Sequence, residues 1–517
     1  MSISRRRVAT WGWAALAGAV SGVLFVAVAE VVALVAARDA SPLIAVGSFV
    51  VDIVPRWAKE PAIQLFGSND KLFLLATVGA AALVAAAVAG LLELWRRWAG
   101  VVAFAVAGAA ALAASVTRAD ASPLAFLPPV LGAVAGAAGV HVLVEALRRW
   151  READAGDPAS TGVDRRRFLW LTGAGAAIAA IAGVASRIGS AATSSIAGVR
   201  AALRLPAPAT RLQVPAGAEL RVTGLSPLFT PNADFYRVDT ALTVPSVDPS
   251  GWRLTVDGLV EKRVELSFDD LLGMGLHEYG ITLTCVSNEV GGNLVGNARW
   301  LGVPVRDVLA RARPRRGADM VLSRSVDGFT AGTPLSALTD PGRDAILAVG
   351  MNGEPLPLEH GFPVRMVVPG LYGYVSATKW LTELKVTTFA ADQAYWTPRG
   401  YSEKAPIKLS SRIDTPRVDK PLSAGPTKIA GVAWAQTVGI QKVEVQIDGG
   451  GWQEATLSAP INADTWVQWS LDWNATSGSH TLAVRATDRA GRLQEQKRTA
   501  IAPNGSTGWQ STLVRVG

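Results

Sequence analysis

The stretch "ITLTCVSNEVGG", residues 281–292, contains the only cysteine in a chain of 517 residues. The run 281–284 alternates apolar and β-branched side chains, which predicts a β-strand, and the glycines at 291 and 292 predict a turn. A single cysteine excludes an internal disulfide and any cysteine-rich zinc or iron–sulfur site. A lone cysteine is usually a small buried hydrophobe, so a chemical role for Cys285 depends on the sequence around it.

The composition of the chain changes near residue 190. Before this point, long uncharged runs of Ala, Val, Leu and Gly dominate, whereas Pro, Trp and charged residues are common after it. This division predicts an N-terminal α-helical membrane domain followed by a globular part. Five segments have the roughly 20 apolar residues that a bilayer-crossing helix needs: about 11–37, 72–92, 99–117, 123–147 and 168–186.

Arginine clusters flank these spans and account for much of the basic excess behind the net charge of +8. We therefore expect a lipid bilayer as partner and no nucleic acid. If the N-terminus is cytoplasmic, five crossings place every cluster inside and the globular part outside, which predicts a multi-pass protein of the cell (plasma) membrane with an extracytoplasmic domain. The clusters lie at 5–7, 96–97, 148–151 and 165–167.

The fifth span has a second interpretation. The segment "DRRRFLWLTGAGAAIAAIAGVAS" (164–186) resembles a twin-arginine export signal, with paired arginines, Phe168, Leu169 and a weakly hydrophobic stretch. The alternative is an ordinary basic flank of a membrane helix. An export signal of this kind would imply that the following domain crosses the membrane already folded, as proteins loaded with a cofactor in the cytoplasm often do.

The fourth span contains two ionisable residues, His141 and Glu145, four residues apart on one helix face. Such groups inside a membrane are functional candidates. We favour the alternative, in which both lie near the interface beside Arg148 and form ion pairs there. A b-type haem usually takes two histidine ligands and the spans contain one, so no haem is expected.

The globular part predicts mixed helices and strands up to about residue 415. The stretch 251–260 alternates as a strand does, and 266–274 predicts a short helix capped by Ser267. The stretch "GNARWLGVPVRDVLARA" (296–312) predicts a turn that leads into an amphipathic helix. The last segment, about 415–517, contains three stretches with strand-like alternation, 442–457, 466–473 and 480–491, and is typical of an all-β immunoglobulin-like sandwich.

Five separated motifs, in order, resemble the sulfite oxidase family of molybdenum enzymes. They are "FYRVDTALTVP" (235–245), "LTCVSN" (283–288), "GNARWLGVPVRDVL" (296–309), "MNGEPLPLEHGFPVRMVVPG" (351–370) and "KWL" (379–381). The resemblance covers most of 225–517 and implies an α+β molybdopterin-binding oxidoreductase domain at 225–414, after a linker at 191–224. It also implies an immunoglobulin-like dimerisation domain at 415–517, and whether a homodimer forms here is left open.

The resemblance implies a molybdenum–molybdopterin cofactor with Cys285 as the metal ligand. A thiolate is a soft donor suited to a redox metal. The Gly- and Pro-rich segment 351–381 fixes polar side chains in turns, and Arg365 and Lys379 suit a pterin phosphate. The residues that the family pattern assigns to the pterin or its phosphate are Phe235, Tyr236, Arg237, Val238, Asp239, Arg299, Asp327, His360, Arg365, Thr378 and Lys379.

Three departures from the sulfite-oxidising relatives bear on the substrate. Those relatives have an arginine soon after the ligand cysteine, where this chain has Asn, Glu and Val at 288–290. They have a second arginine where Val238 stands, although Arg237 is adjacent, and their substrate-pocket tyrosine corresponds to Phe329. A dianion requires convergent positive charge. The catalytic candidates Cys285, Arg237 and Phe329 therefore imply a substrate less charged than sulfite.

These features together predict a membrane-anchored oxidoreductase of the sulfite oxidase type that performs two-electron oxygen-atom transfer. The substrate would be a small-molecule or protein sulfur oxide, with sulfite oxidation as one reaction and reduction of sulfoxides, such as methionine sulfoxide in proteins, as the alternative. A non-enzymatic alternative is a membrane-tethered binding protein with a degenerate pterin fold. No second redox centre is visible in the sequence, so a separate haem protein or quinone would exchange electrons with the site.

Overall fold

The structure, a computed structural model, divides into two compact units, Met1–Ser195 and Ile196–Gly517. The fifth predicted span (168–186) and the segment that resembles an export signal lie almost entirely outside the described residues. The described residues are 2–36, 45–47, 49–50, 70–117, 123–156, 166, 169–170, 172–173, 195–417, 419–420 and 422–517.

The first unit contains helices that match the predicted spans before residue 150. Among the described residues, four helices are long and apolar enough to cross a membrane. Helix α1 packs against α2 and α4, and α3 packs against α4. Glycines allow the closest approach, since a Cβ on Gly18 or on Gly90 would lie 2.1 Å from a carbonyl oxygen of the facing helix. The helices are α1 Ser2–Ala36, α2 Asp70–Trp95, α3 Ala99–Val116 and α4 Leu127–Gly156.

The ionisable residues of this unit form ion pairs. Glu145 lies 3.4 Å from Arg148 and 3.7 Å from Arg97, in agreement with the predicted interfacial pairing. His141 instead pairs across helices, with Nδ1 3.0 Å from the Glu93 carboxylate. Glu93 also accepts the backbone N–H of Gly100 at 2.9 Å, so it closes the turn between α2 and α3.

The second unit begins with two five-stranded sheets. In the first, the order is β2-β1-β10-β5-β6, with β1 and β10 parallel; in the second, it is β3-β4-β7-β8, with β9 beside β7. Short helices α5 (Phe268–Leu272), α6 (Val305–Ala312) and α7 (Leu335–Thr339) connect the strands. The strands are β1 Arg253–Gly258, β2 Val264–Ser267, β3 His277–Thr284, β4 Val295–Pro304, β5 Met320–Ser325, β6 Thr330–Pro334, β7 Ile346–Met351, β8 Glu354–Pro355, β9 Arg365–Val367 and β10 Leu381–Thr387.

Local sequence signals explain part of this arrangement. Ser267 caps α5 and forms a reciprocal capping box with Asp270, which confirms the predicted helix start. The prediction of a turn at 296–304 is wrong, because this segment is the central strand β4. The buried Asn297 amide donates to the Leu228 carbonyl and accepts from the Thr282 hydroxyl, so a polar residue is accommodated inside the sheet.

Residues 196–224, which the sequence predicts as most of a linker, pack against this sheet region. Ile196 is buried in the core of the second sheet. Arg200 donates hydrogen bonds of 2.7 Å to the carbonyl oxygens of Leu356 and Pro355 and pairs with Glu354 at 2.9 Å. The segment therefore belongs structurally to the second unit.

The last part of the chain, 410–517, is an all-β sandwich that we call the C-terminal β domain. Its two four-stranded sheets have the orders β11-β12-β16-β15 and β14-β13-β17-β18. Between them lies an apolar core that includes Trp469, Val443 and Leu482. The immunoglobulin-like sandwich is confirmed, with its first strand beginning at Ser410. The strands are β11 Ser410–Thr415, β12 Gly425–Trp434, β13 Ile440–Ile447, β14 Gln453–Glu454, β15 Thr456–Leu457, β16 Val467–Ala475, β17 Gly478–Asp488 and β18 Gln510–Val516.

Candidate active site

A cavity opens beside Cys285, where the loop that follows β3 meets the turns around β9 and β10. Its empty volume, counted out to the solvent at its open mouth, is about 920 Å³. The residues that line it are Phe235, Tyr236, Val238, Asp239, Thr240, Cys285, Val286, Ser287, Ser325, Asp327, Phe329, His360, Arg365, Gly373, Tyr374, Ala377, Lys379, Trp380, Trp396 and Tyr401.

Cys285 follows directly after strand β3, and only 8% of its surface is exposed. Its backbone N–H donates to the Leu294 carbonyl at 2.9 Å, and its carbonyl accepts from Asn288 at 3.0 Å. The Ser287 N–H points at Sγ at 3.4 Å. Burial raises the pKa of the thiol, against the weaker lowering effect of Ser287 and Lys379. An isolated thiol here would stay protonated, whereas a bound metal would deprotonate it.

Two buried cations line the same cavity. Arg365, on β9, is 5% exposed, and Lys379 is 8% exposed. Lys379 Nζ donates to the Asp239 carboxylate at 2.6 Å. Burial lowers the pKa of Arg365 to about 10 and that of Lys379 to about 8, where Asp239 opposes the shift. The Asp239 carboxylate stabilises the charged form of Lys379, whereas burial opposes the charge on both groups.

Arg365 provides a test of whether an anionic cofactor fits. Its Nη1 donates to the His360 carbonyl at 3.1 Å, but its Nε has no hydrogen-bond partner. Within the described part of the chain, no carboxylate forms a salt bridge with this guanidinium. A buried cation without an anion is costly, and a planar guanidinium matches a phosphate group well. The site therefore fits the terminal phosphate of a molybdopterin.

His360 is held beside these cations in its neutral form. Its side chain is buried, its Nε2 lies 3.0 Å from the Asn232 carbonyl oxygen, and its ring contacts Phe235 edge-to-face at 5.6 Å. Burial, with the nearby Arg365, lowers the pKa of His360 to about 4. A neutral imidazole at this position is a hydrogen-bonding group rather than a further cation.

An aromatic wall closes one side of the cavity. We define it as the lining residues Phe329, Tyr374, Trp396 and Tyr401, together with Tyr395, which does not line the cavity but contacts the rings of Phe329 and Trp396. The rings follow one another at centroid distances of 5.2 to 5.8 Å. The Tyr374 hydroxyl donates to a backbone carbonyl at 2.6 Å, so it is already engaged. Sequence reasoning identified only Phe329 of this set. The dense aromatic run 395–401 was the signal available for the others.

Most of the predicted site residues line the cavity, but Arg237, Arg299 and Thr378 do not. Arg237 pairs with Asp239 at 2.8 Å from outside the lining. The Arg299 guanidinium lies over an aromatic ring at 5.4 Å, and the Thr378 hydroxyl is buried 2.7 Å from the Ser323 hydroxyl. Their assignment to the cofactor stays a prediction.

The residues after the cysteine provide no charge to the cavity. The Asn288 side chain accepts the Leu294 N–H at 2.8 Å and closes the turn, whereas Glu289 is exposed. The charged lining residues are two cations, Arg365 and Lys379, and two carboxylates, Asp239 and Asp327. Their charges cancel, so the cavity has no surplus positive charge for an anionic substrate.

Comparison with protein families identifies both parts of the second unit. Residues 241–396 match the oxidoreductase molybdopterin binding domain, and residues 410–484 match a bacterial Ig domain. The molybdopterin-binding domain contains Cys285, Arg365 and Lys379, so its match bears on the cavity directly. The family match indicates a molybdenum cofactor.

Individual relatives agree with this family. The chain is 33% identical to mitochondrial sulfite oxidase of Rattus norvegicus over 313 residues, which are 51% of this chain and 57% of the relative. It is 30% identical to inducible nitrate reductase [NADH] 1 of Glycine max over 49% of this chain and 36% of the relative. The chain thus spans little more than half the length of this sulfite oxidase and about a third of the length of this nitrate reductase.

A solved structure has the same fold. The sulfane dehydrogenase SoxCD from Paracoccus pantotrophus aligns with a TM-score of 0.50 and 24% identity, over 59% of this chain and 86% of that chain. At this identity the likeness concerns the fold alone. It indicates that the arrangement of the molybdopterin-binding part is shared with an oxidoreductase of known structure.

Proposed function

We propose, from the premise that this chain belongs to the sulfite oxidase family of molybdopterin-dependent oxidoreductases, that it is a membrane-anchored enzyme acting on a small uncharged sulfur oxide. The observation that carries the proposal is the composition of the cavity. It combines a buried thiol and an unpaired buried guanidinium with an aromatic wall and no surplus positive charge.

The cavity residues have distinct roles in this proposal. Cys285 is the protein ligand of molybdenum, Arg365 and Lys379 bind the pterin phosphate, and neutral His360 hydrogen-bonds the pterin. The bound molybdenum cofactor would supply two-electron oxygen-atom transfer. The chain contributes a buried site that fixes the cofactor and limits access of water and of charged substrates.

The nature of the substrate follows from charge and shape. A bound pterin phosphate would occupy both Arg365 and Lys379, and Lys379 is also paired with Asp239 at 2.6 Å. A sulfite dianion would then meet no free positive group among the lining residues, whereas the aromatic wall suits methyl and methylene groups. These features favour reduction of a sulfoxide, either free or within a protein, over oxidation of sulfite.

The proposed location of the protein and its proposed redox partner are inferred from the first unit and its predicted membrane spans. Arginines flank the spans on the side that the positive-inside pattern makes cytoplasmic, so the second unit lies outside the cytoplasm. Export in the folded state through the twin-arginine segment 164–186 is consistent with loading of the cofactor before export. Electrons reach the site from a separate membrane partner, a haem protein or a quinone.

Substrate assays on the purified, cofactor-loaded protein test this proposal. We expect reduction of methionine sulfoxide, driven by a reduced viologen dye, to exceed sulfite oxidation with ferricyanide by at least about tenfold in kcat/KM. Cys285→Ser is the matched control and should lack both activities. A preference for sulfite would refute the substrate assignment, and the absence of both activities in a loaded protein would refute the enzymatic function.

A further inference from the structure

The C-terminal β domain forms several hydrogen bonds with the polypeptide segment that carries Cys285. The centre of this contact is Thr282, which is fully buried and lies three residues before the cysteine on β3. Its N–H donates to the Asp464 carbonyl at 2.9 Å, its hydroxyl accepts the Trp466 N–H at 2.8 Å, and its carbonyl accepts from the Gln436 amide. Every polar atom of Thr282 therefore contacts the C-terminal β domain.

Further hydrogen bonds from the same domain reach both ends of the cysteine segment, residues 280–292. They involve one backbone carbonyl before the cysteine and two after it. The donors and acceptors are Asn462 Nδ2 to the Gly280 carbonyl at 3.0 Å, Ser506 Oγ to the Asn288 carbonyl at 2.8 Å, and Arg412 Nη1 to the Gly292 carbonyl at 2.9 Å.

Apolar side chains also pack together where the cysteine segment contacts the C-terminal β domain. Val295, the first residue of β4, pairs in register with Thr284, the last residue of β3. Val295 is buried in a cluster with Val432, Trp434 and Trp466 of the C-terminal β domain. The first residue of β4, which is paired with the last residue of β3, thus packs against this domain.

We propose that the C-terminal β domain is a positioning element for Cys285, and that Thr282 is the residue through which it acts. Inside the molybdopterin-binding domain, the cysteine backbone has hydrogen bonds to Leu294 and Asn288, both within the same loop. The hydrogen bonds that tie this loop to a separate sheet come from residues 412–506. Loosening this contact opens the cysteine loop without unfolding the rest of the unit. This inference does not depend on the substrate or on the enzymatic function.

The single cysteine makes the inference directly measurable. In full-length protein produced without the cofactor, the rate of Cys285 alkylation by a maleimide reports how often the loop opens. Thr282→Val keeps the shape of the side chain but leaves the buried backbone N–H of Trp466 without an acceptor. It also removes the hydrogen bond of 3.0 Å that the hydroxyl donates to Asn297 on β4, whereas Ser506→Ala, described below, affects only the contact with the C-terminal β domain. We expect alkylation to accelerate by on the order of tenfold. Thr282→Ser retains the hydroxyl and should restore a rate close to that of the parent.

Ser411→Ala is the matched control. It removes a buried hydrogen bond of 2.7 Å to Gln494 within the C-terminal β domain and leaves the contacts of 280–292 in place. We expect its alkylation rate to remain within about twofold of the parent. If Thr282→Val accelerated alkylation no more than Ser411→Ala, the domain would not position the cysteine and the proposal would be wrong.

A second variant tests the proposal even if Thr282→Val fails to fold. Ser506→Ala removes one half-exposed hydroxyl that bonds the Asn288 carbonyl, so it should fold even where Thr282→Val does not. It should accelerate alkylation about threefold, and an unchanged rate would overturn the proposal. In the loaded protein, the molybdenum(V) electron paramagnetic resonance spectrum of Thr282→Val should shift, whereas that of Ser411→Ala should match the parent.

Discussion

Arg365 is a buried guanidinium whose Nε has no hydrogen-bond partner, and it is the residue of the cavity that most clearly requires an anion. We predict that Arg365→Met lowers cofactor retention at least about tenfold, because the phosphate loses a charge-assisted, two-pronged partner. Arg365→Lys keeps the positive charge but lacks the planar, two-pronged geometry of the guanidinium. Its cofactor retention should therefore lie between that of the parent protein and that of Arg365→Met. Pterin released from purified protein and measured by fluorescence checks this prediction.

The control for that experiment is Arg299→Met. The Arg299 guanidinium contacts the Phe229 ring rather than the cavity, so this variant should retain the cofactor. Equal pterin content in Arg365→Met and the parent protein would exclude Arg365 from phosphate binding. Loss of pterin in Arg299→Met would instead support the contact that the sequence resemblance implies.

His360 makes the cofactor-free protein sensitive to acid. Its pKa is lowered from 6.5 to about 4 by burial and by Arg365. Because the unfolded chain binds the proton first, the stabilisation is present above about pH 6.5 and is lost as pH falls toward 4, with a magnitude of roughly 3 kcal/mol. Urea unfolding at several pH values should show that the free energy of unfolding falls less steeply with decreasing pH in His360→Gln than in the parent protein. Parallel curves for the two proteins would contradict the lowered pKa.

Single residues also show how far the sequence predicts the site. Cys285, His360, Arg365 and Lys379 share the cavity, because short motifs rich in Gly and Pro fix their positions locally. Thr378 precedes Lys379, but adjacent side chains in nonhelical backbone point in different directions, and Thr378 faces Ser323. A neighbour in sequence is therefore not always a neighbour in the site.

At the scale of elements, the sequence signals had unequal strength. The spans before residue 150 are long continuous apolar runs, and strands of the C-terminal β domain alternate; the structure has helices and strands there. Strand β4 was missed because its burial pattern covers both faces, so it lacks alternation. The aromatic wall was missed because the path of residues 395–401 after β10 depends on tertiary packing.

The closest helix contact of the membrane unit gives a prediction at this scale. A Cβ on Gly90 of α2 would lie 2.1 Å from the Ala14 carbonyl of α1. Gly90→Leu should therefore separate the helices and lower the thermal midpoint in detergent by about 5 °C. Gly79→Leu on the same helix is the control, since a Cβ there meets nothing within 4 Å. Equal midpoints for the two variants would contradict this packing.

At the scale of the whole molecule, the proposed location of the second unit outside the cytoplasm rests on the apolar helices of the first unit and on the predicted export segment. We predict that the double variant Arg166→Lys with Arg167→Lys leaves the second unit in the cytoplasm, because the paired arginines are the part of the segment that an export receptor reads. Protease added to spheroplasts checks this, since it digests the second unit only where it is outside.

The double lysine variant keeps the positive charge, so it separates the two interpretations of the segment. An ordinary basic flank would tolerate the change and leave the second unit accessible to protease. Protection of the variant, with digestion of the parent protein, would support folded export. Equal digestion of both would contradict it.

The central claim is that Cys285 binds the molybdenum of a pterin cofactor within the cavity of the second unit. Its most direct test is the metal and pterin content of full-length protein purified from cells that load a known molybdopterin enzyme. We predict about one molybdenum and one pterin per chain, and less than about a tenth of that metal in Cys285→Ser. Parent protein that contained neither metal nor pterin, although the reference enzyme was loaded in the same cells, would contradict the claim.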